Sequence, residues 1–166
     1  MEKVILIIKL NMRRISVFVV TLILMFNIGC SNTPSKDEQI ITLLRDFYIA
    51  YNEVWENAKS YNHEEFKEKV FSLQSKYCSN KLQRKLKQYY ESSKFDHDLL
   101  TNDFGGTNSE KFKSTLTIVK DTTKEESYIV SYVVKIKAPS TPREEKNVIH
   151  LTVINEEGNY KIDEVW

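Results

Sequence analysis

The segment 94–104, "KFDHDLLTNDF", holds the densest set of side chains that could bind a ligand or transfer a proton. Five of them carry a carboxylate, an imidazole or an amide: Asp96, His97, Asp98, Asn102 and Asp103. A calcium loop needs oxygen ligands at positions 1, 3 and 5 and glycine at position 6. Counted from Asp96, position 5 is Leu100 and position 6 is Thr101, so the calcium-loop interpretation fails.

Three other interpretations of this segment stay open. A transition-metal site on His97 would lack a second histidine nearby. General acid–base chemistry would need an aspartate or histidine with a shifted pKa in a cavity that excludes water. Alternatively, the polar side chains cap turns between a third helix and a first strand. The candidate pocket residues are Asp96, His97, Asp98 and Asp103, together with the aromatic Tyr51 and Trp55.

The sequence lacks the motifs of several common kinds of catalysis and cofactor binding. The sequence contains no glycine-rich phosphate loop, no G-x-S-x-G and no C-x-x-C. No metal and no cofactor is therefore expected, and no catalytic residue is assigned. Residues 30–166 carry 22 acidic and 20 basic side chains, so nucleic acid is not an expected partner.

Helices are predicted ahead of the polar segment. Ser35 and Glu38 have the spacing of a capping box, so a helix should begin there and continue over Gln39–Lys59. Its apolar side chains recur in steps of three and four: Ile40, Leu44, Phe47, Tyr51, Val54 and Ala58. Asn62 and Ser79 are predicted to cap a second and a third helix.

Strands are predicted after Gly105 and Gly106. Apolar and polar residues alternate over 128–136, which indicates a strand with one buried face. Further strands are predicted over 111–119, 147–154 and 160–166, with a loop over 138–145 and a turn over 155–159. Helices followed by strands indicate an α+β fold, in which N-terminal helices pack on an antiparallel sheet of about four strands.

The N-terminus predicts export and a lipid anchor. Two arginines precede an apolar run and a small residue before Cys30, as in a signal peptide, and "FNIGC" resembles a lipobox. We therefore predict a lipoprotein signal peptide over 1–29 (with Met12 as an alternative start), acylated Cys30 and a polar tether over 30–36, and one α+β domain over 37–166. The lipid bilayer is the expected partner of Cys30, and Ser31 favours the outer membrane of the cell envelope. Acylation leaves Cys78 without an intramolecular disulfide partner, and a small buried side chain is expected there.

Four segments carry a resemblance to a known family: "FYIAYNEVW", "SKYCSNKLQRKL", "FDHDLLTNDF" and "YKIDEV". Over Ile40–Val165 the chain resembles a family of uncharacterised domains that is frequent in Bacteroides-type lipoproteins. The resemblance matches an aspartate pair and a following aspartate to Asp96, Asp98 and Asp103. It implies a cone-shaped fold of the nuclear-transport-factor-2-like or cystatin-like type, with helices in the concave face of a curved antiparallel sheet. It implies no activity.

Three functions are compatible with these features. The first is a non-enzymatic binding lipoprotein that holds a small molecule or a protein. The second is an immunity-type protein that neutralises an envelope-acting toxin. The third is a hydrolase or isomerase that uses an Asp/His pair in the cone. Asp98 and Asp103 in a closed apolar pocket would favour the third, whereas hydrogen bonds from these carboxylates to helix or turn backbone would argue against it.

Overall fold

The computed structural model describes residues 33–93, 98–101, 107–136 and 143–166. Within these ranges the helices are α1 (Lys36–Glu56), a short 3-10 helix (Ala58–Ser60), α2 (His63–Tyr77), α3 (Asn80–Ser93) and α4 (Ser109–Thr115). The strands are β1 (Thr117–Lys120), β2 (Ser127–Ile136), β3 (Arg143–Glu156) and β4 (Asn159–Val165). They form one antiparallel sheet in the order β1-β2-β3-β4. The predicted α+β class, with helices packed on a four-stranded antiparallel sheet, is confirmed.

The three long helices begin where their caps were predicted. Ser35 Oγ accepts from the Glu38 backbone N–H, and the Ser35 N–H donates to the Glu38 carboxylate, which completes the predicted capping box. The Asn62 side chain accepts from the Glu65 N–H at the start of α2. Ser79 Oγ accepts from the Leu82 N–H at the start of α3. Local sequence therefore determines where each of these helices starts.

The junction between α2 and α3 is attached to the edge of the sheet. The Ser79 N–H donates to the Ile162 carbonyl over 2.8 Å, beside a bridge between Cys78 and Ile162 on β4. Cys78 is a fully buried free cysteine, and burial raises the pKa of its thiol to about 12. The side chain is therefore a neutral part of the core, as predicted.

One predicted strand is wrong in most of its length. Residues 111–119 were expected to be extended, but Ser109–Thr115 is the helix α4 and only Thr117–Lys120 is a strand. The Asn108 side chain caps α4 by accepting from the Lys111 N–H over 3.2 Å. Phe112 and Leu116, four residues apart, are both buried, and Phe112 packs on the Tyr132 ring with centroids 4.6 Å apart. The β-branched residues at the end of this segment were mistaken for a longer strand.

The sheet has one face covered by helices and one face that no element among the described residues covers; these are called the covered and the uncovered face. On the covered face, paired residues of neighbouring strands are buried. Ile118 of β1 pairs with Val130 of β2, which pairs with Ile149 of β3, and all three are buried. The alternate residues, such as Val119 and Val148, are 47% and 42% exposed. The predicted loop over 138–145 overlaps this sheet, because β3 already begins at Arg143.

Candidate functional site

The Asp98–Thr101 turn brings the polar segment of the sequence into the core. Asp98 is only 1% exposed, and Leu100 is fully buried. The side chains around them come from α1, α3, β2 and β3. Among the candidate residues, Asp98 and Tyr51 are therefore brought together, whereas Asp96, His97 and Asp103 lie outside the described residues.

Five donors converge on the carboxylate of Asp98. Oδ1 accepts from the Tyr51 hydroxyl at 2.9 Å, from the Tyr90 hydroxyl at 2.5 Å and from the Leu100 N–H at 3.4 Å. Oδ2 accepts from the Thr101 N–H at 3.0 Å and from the Thr101 hydroxyl at 2.6 Å. A carboxylate offers about four lone-pair positions, so this acceptor is saturated by the protein itself.

Burial and hydrogen bonding act on the ionisation of this cluster in opposite directions. Burial raises the pKa of Asp98 above its ordinary value of 3.8, while the hydrogen bonds from Thr101, Tyr90 and Tyr51 lower it; burial prevails. Burial also raises the pKa of both tyrosines well above the usual range, and the nearby carboxylate of Asp98 adds to this shift. The tyrosines therefore remain neutral hydrogen-bond donors.

The backbone carbonyls of the turn also accept hydrogen bonds from surrounding side chains. The Leu100 carbonyl accepts from the buried Tyr48 hydroxyl at 3.1 Å. The Thr101 carbonyl accepts from the Tyr132 hydroxyl at 3.2 Å and from the Asn147 amide at 2.6 Å. The turn thus links α1, α3, β2 and β3, and the carbonyls of Leu100 and Thr101 are satisfied by side chains.

This arrangement suits a carboxylate that stabilises the fold, and it leaves Asp98 no access to a substrate. A general base must reach a proton on a substrate, but every acceptor position of Asp98 is taken and the carboxylate is shielded from solvent. The interpretation that the polar segment caps a turn describes Asp98 well, since Asp98 accepts from the N–H groups of Leu100 and Thr101. The described contacts of Asp98 thus argue against its use in catalysis.

The raised pKa of Asp98 predicts a pH dependence of stability. Because the folded state holds the proton more tightly than the unfolded chain, Asp98 contributes stability that is fully present below its ordinary pKa of 3.8 and is lost as the pH rises through the raised value. The free energy of unfolding of the wild type relative to Asp98→Asn should therefore increase as the pH falls from about 7 to about 4. Urea unfolding of both proteins tests this, and a difference that stays constant or shrinks over that range would contradict it.

Trp55, the second aromatic candidate, belongs to the packing beside this cluster. Its ring is half-buried, stands edge-on to Phe66 with centroids 5.0 Å apart, and lies 6.4 Å from the Tyr51 ring. Its indole N–H is buried and has no hydrogen-bond partner among the described residues, although it lies close enough to Tyr51 to act on the pKa of that phenol. Trp55 therefore does not line an open site.

An open groove lies elsewhere, along α1 and α2. Its volume is about 710 Å³, and it reaches the first residue of α4. The lining residues are Ala50, Glu53, Val54, Asn57, Tyr61, Glu68, Lys69, Ser72, Leu73 and Ser109. No candidate residue from the sequence is among them, because the groove forms between two helices whose individual sequences look like ordinary amphipathic helices.

The groove combines an apolar floor with a charged rim. Ala50, Val54 and Leu73 are half-buried and form the apolar part. On the rim, Glu53 pairs with Lys113 over 2.6 Å, and Lys69 lies 4.9 Å from the centre of the Tyr61 ring. Glu68 is exposed and has no ion-pair partner among the described residues. A concave apolar surface with a few polar groups at its edge is typical of ligand sites.

Neither a metal cluster nor a membrane-spanning helix is found among the described residues. They contain no group of three His, Cys, Asp or Glu side chains arranged to hold a metal ion. Over the same ranges, none of the helices combines the length and the apolar character needed to cross a bilayer.

Comparison with known proteins supports the fold of this chain and gives no function. The chain resembles a crystal structure of a protein of unknown function from Bacteroides thetaiotaomicron VPI-5482, with 23% sequence identity and a TM-score of 0.59. The match covers 76% of this chain and 87% of that chain. No protein-family model and no curated protein matches the chain. This similarity is consistent with an uncharacterised family of Bacteroides proteins. At 23% identity, it shows the fold alone.

Proposed function

We propose that this chain is an exported, lipid-anchored binding protein without catalytic activity, and that its ligand lies in the α1–α2 groove. The observation that carries the proposal is the contrast between two polar regions. The Asp98 carboxylate is buried and saturated by five donors, whereas the groove is open and apolar at its floor, with Glu68 unpaired among the described residues. A protein that binds needs the second kind of surface, and one that catalyses acid–base chemistry needs an accessible group.

The anchor and the family belong to the same proposal. The signal-like residues 1–29 and the lipobox-like "FNIGC" support acylation of Cys30 and residence in the cell envelope, at the outer membrane. The resemblance to Bacteroides-type lipoproteins with a nuclear-transport-factor-2-like or cystatin-like fold supports the same assignment. The tether then holds a small binding domain at the membrane surface.

The groove is tested by filling it. We expect Ser72→Trp, an exposed position in the lining, to place an indole in the groove and to remove the ligand. Ser75→Trp is the matched control, because Ser75 is exposed on the same helix but does not line the groove. Both substitutions make the same chemical change on α2 and should cost similarly little helix stability.

The measurement is native mass spectrometry of the protein extracted from its own cells in mild detergent. The wild type and Ser75→Trp should carry the same bound species, whether a small molecule or a protein, and Ser72→Trp should have lost it. The same bound species on all three proteins, or no bound species on the wild type, would refute binding in the groove.

A further inference from the structure

The uncovered face of the sheet carries most of the exposed apolar side chains. Five large apolar side chains are exposed among the described residues, and four of them lie on this face: Val119, Val148, Ile154 and Trp166. Trp166 is 52% exposed, the highest value of the group. Large apolar side chains exposed on one face of a sheet favour an interaction site there.

Two of these side chains, Val119 and Trp166, lie at the two ends of a row of residues that crosses the sheet. Val119 is in register with Ile129, which is in register with His150. Trp166 exchanges two backbone hydrogen bonds with His150, and its ring stacks on the imidazole with centroids 6.1 Å apart. Val119, Ile129, His150 and Trp166 are called the apolar row. Lys124, in the turn between β1 and β2, holds its ammonium 4.0 Å from the centre of the Trp166 ring.

The first helix begins beside the Val119 end of this row, at the end of the sheet that carries the turn between β1 and β2. The Asp37 carboxylate accepts from the Lys120 ammonium and from the Tyr128 hydroxyl, both at 2.8 Å, and Lys36 pairs with Glu126. Four residues separate Ser35 from Cys30, and the five residue steps between them span at most about 17 Å in an extended chain. An anchor at Cys30 therefore keeps this end of the domain close to the membrane surface.

We infer that the apolar row lies in the headgroup region of the bilayer to which Cys30 is anchored, an inference that rests on the proposed lipid anchor. Indole rings favour the membrane–water interface, because they are apolar and carry one polar N–H. Lys124 can keep its ammonium in water while its stem lies along the indole. The anchor thus fixes one end of the sheet on the membrane as well as tethering the domain.

The charges at this end predict which lipid is preferred. The basic side chains at the start of α1 and in and beside the turn between β1 and β2 are Lys36, Lys120 and Lys124, and the acidic ones are Asp37, Glu38, Asp121, Glu125 and Glu126. Because acidic side chains outnumber basic ones here, anionic headgroups should not be favoured. Contact with a zwitterionic surface should be little affected by salt.

Tryptophan fluorescence tests the inference, since the chain contains only Trp55 and Trp166. Trp55→Phe leaves Trp166 as the reporter, and Trp166→Phe leaves the half-buried Trp55 as the control. The acylated proteins are reconstituted in phosphatidylcholine vesicles whose acyl chains carry bromine, which quenches indole emission on contact. Trp166 should lose emission and shift to the blue relative to bromine-free vesicles, and Trp55 should change little.

Flotation of the same samples separates the possible failures. Protein that floats with the vesicles but shows unquenched Trp166 emission would overturn the inference and leave the anchor standing. Protein that carries no acyl chain and does not float would overturn both. A concentration-dependent dimer that buries Trp166 without lipid would assign this face to a second copy of the chain, and would overturn the inference as well.

Discussion

Replacing Asp98 with alanine is expected to lower the free energy of unfolding by about 3 kcal/mol or more, a large fraction of the total stability of a single domain. The substitution leaves the hydroxyls of Tyr51, Tyr90 and Thr101 and the Thr101 N–H without their acceptor, in a region shielded from water. A buried donor that has lost its partner costs about 1–3 kcal/mol, and some of these hydroxyls can rotate towards one another. Denaturant unfolding followed by circular dichroism measures the loss.

Asp121→Ala is the matched control for this substitution. Asp121 accepts from the N–H and the hydroxyl of Thr123, the same pair of groups that Thr101 offers to Asp98, but it receives no tyrosine. Its loss should cost about 1 kcal/mol, as for other side-chain caps. A cost at Asp98 no larger than that at Asp121 would show that the tyrosine contacts do not hold the turn.

Replacing Cys30 with serine is expected to abolish fatty-acid labelling and to release the domain from the membrane fraction. Acylation proceeds at the cysteine thiol, and stable attachment needs more than one acyl chain, so nothing equivalent remains after the substitution. Metabolic labelling with a radioactive fatty acid, followed by fractionation of the cells, measures both effects. Cys78→Ser is the control, because the buried Cys78 should leave labelling unchanged.

Retention of Cys30→Ser in the membrane fraction would contradict this prediction. It would indicate that residues 4–28 stay in the membrane as an uncleaved helix, at the cost of placing Lys9 and two arginines in or near the hydrocarbon. Labelling that persists in Cys30→Ser would place the acyl chain on another residue.

The helices could be predicted from the sequence because their signals are local. The capping box at Ser35 and Glu38 and the caps at Asn62 and Ser79 depend only on residues three apart. The short helix α4 could not be predicted in the same way. It has seven residues, its cap lacks the glutamate that completes a box, and the strand that follows is rich in β-branched residues.

The site could be predicted less well, because its geometry depends on contacts that are distant in sequence. Three aspartates lie within eight residues, and only Asp98 among the described positions can be placed in the core, where Tyr51 and Tyr90 reach it from two helices. The spacing of Asp98 and Thr101 is a signal for a capped turn that could have singled out this aspartate. Of the two adjacent tyrosines of α3, Tyr90 is buried and reaches Asp98, whereas Tyr89 is only half-buried.

The sequence contains no pattern that predicts the groove between α1 and α2. Residues such as Val54 and Leu73 continue the apolar period of their helices and would be assigned to the core by any periodicity argument. They line the groove because the packing of α1 and α2 leaves these side chains half-buried. Only the packing of the two helices decides this.

The central claim is that the protein binds through the α1–α2 groove while the Asp98 turn only supports the fold. The most direct test is native mass spectrometry of Asp98→Asn purified from its own cells, beside the wild type and Ser72→Trp. Asparagine keeps the shape of the side chain and one acceptor oxygen, so this variant should stay folded and carry the wild-type bound species, which Ser72→Trp lacks. A folded Asp98→Asn protein that has lost this species, together with a Ser72→Trp protein that keeps it, would contradict the account.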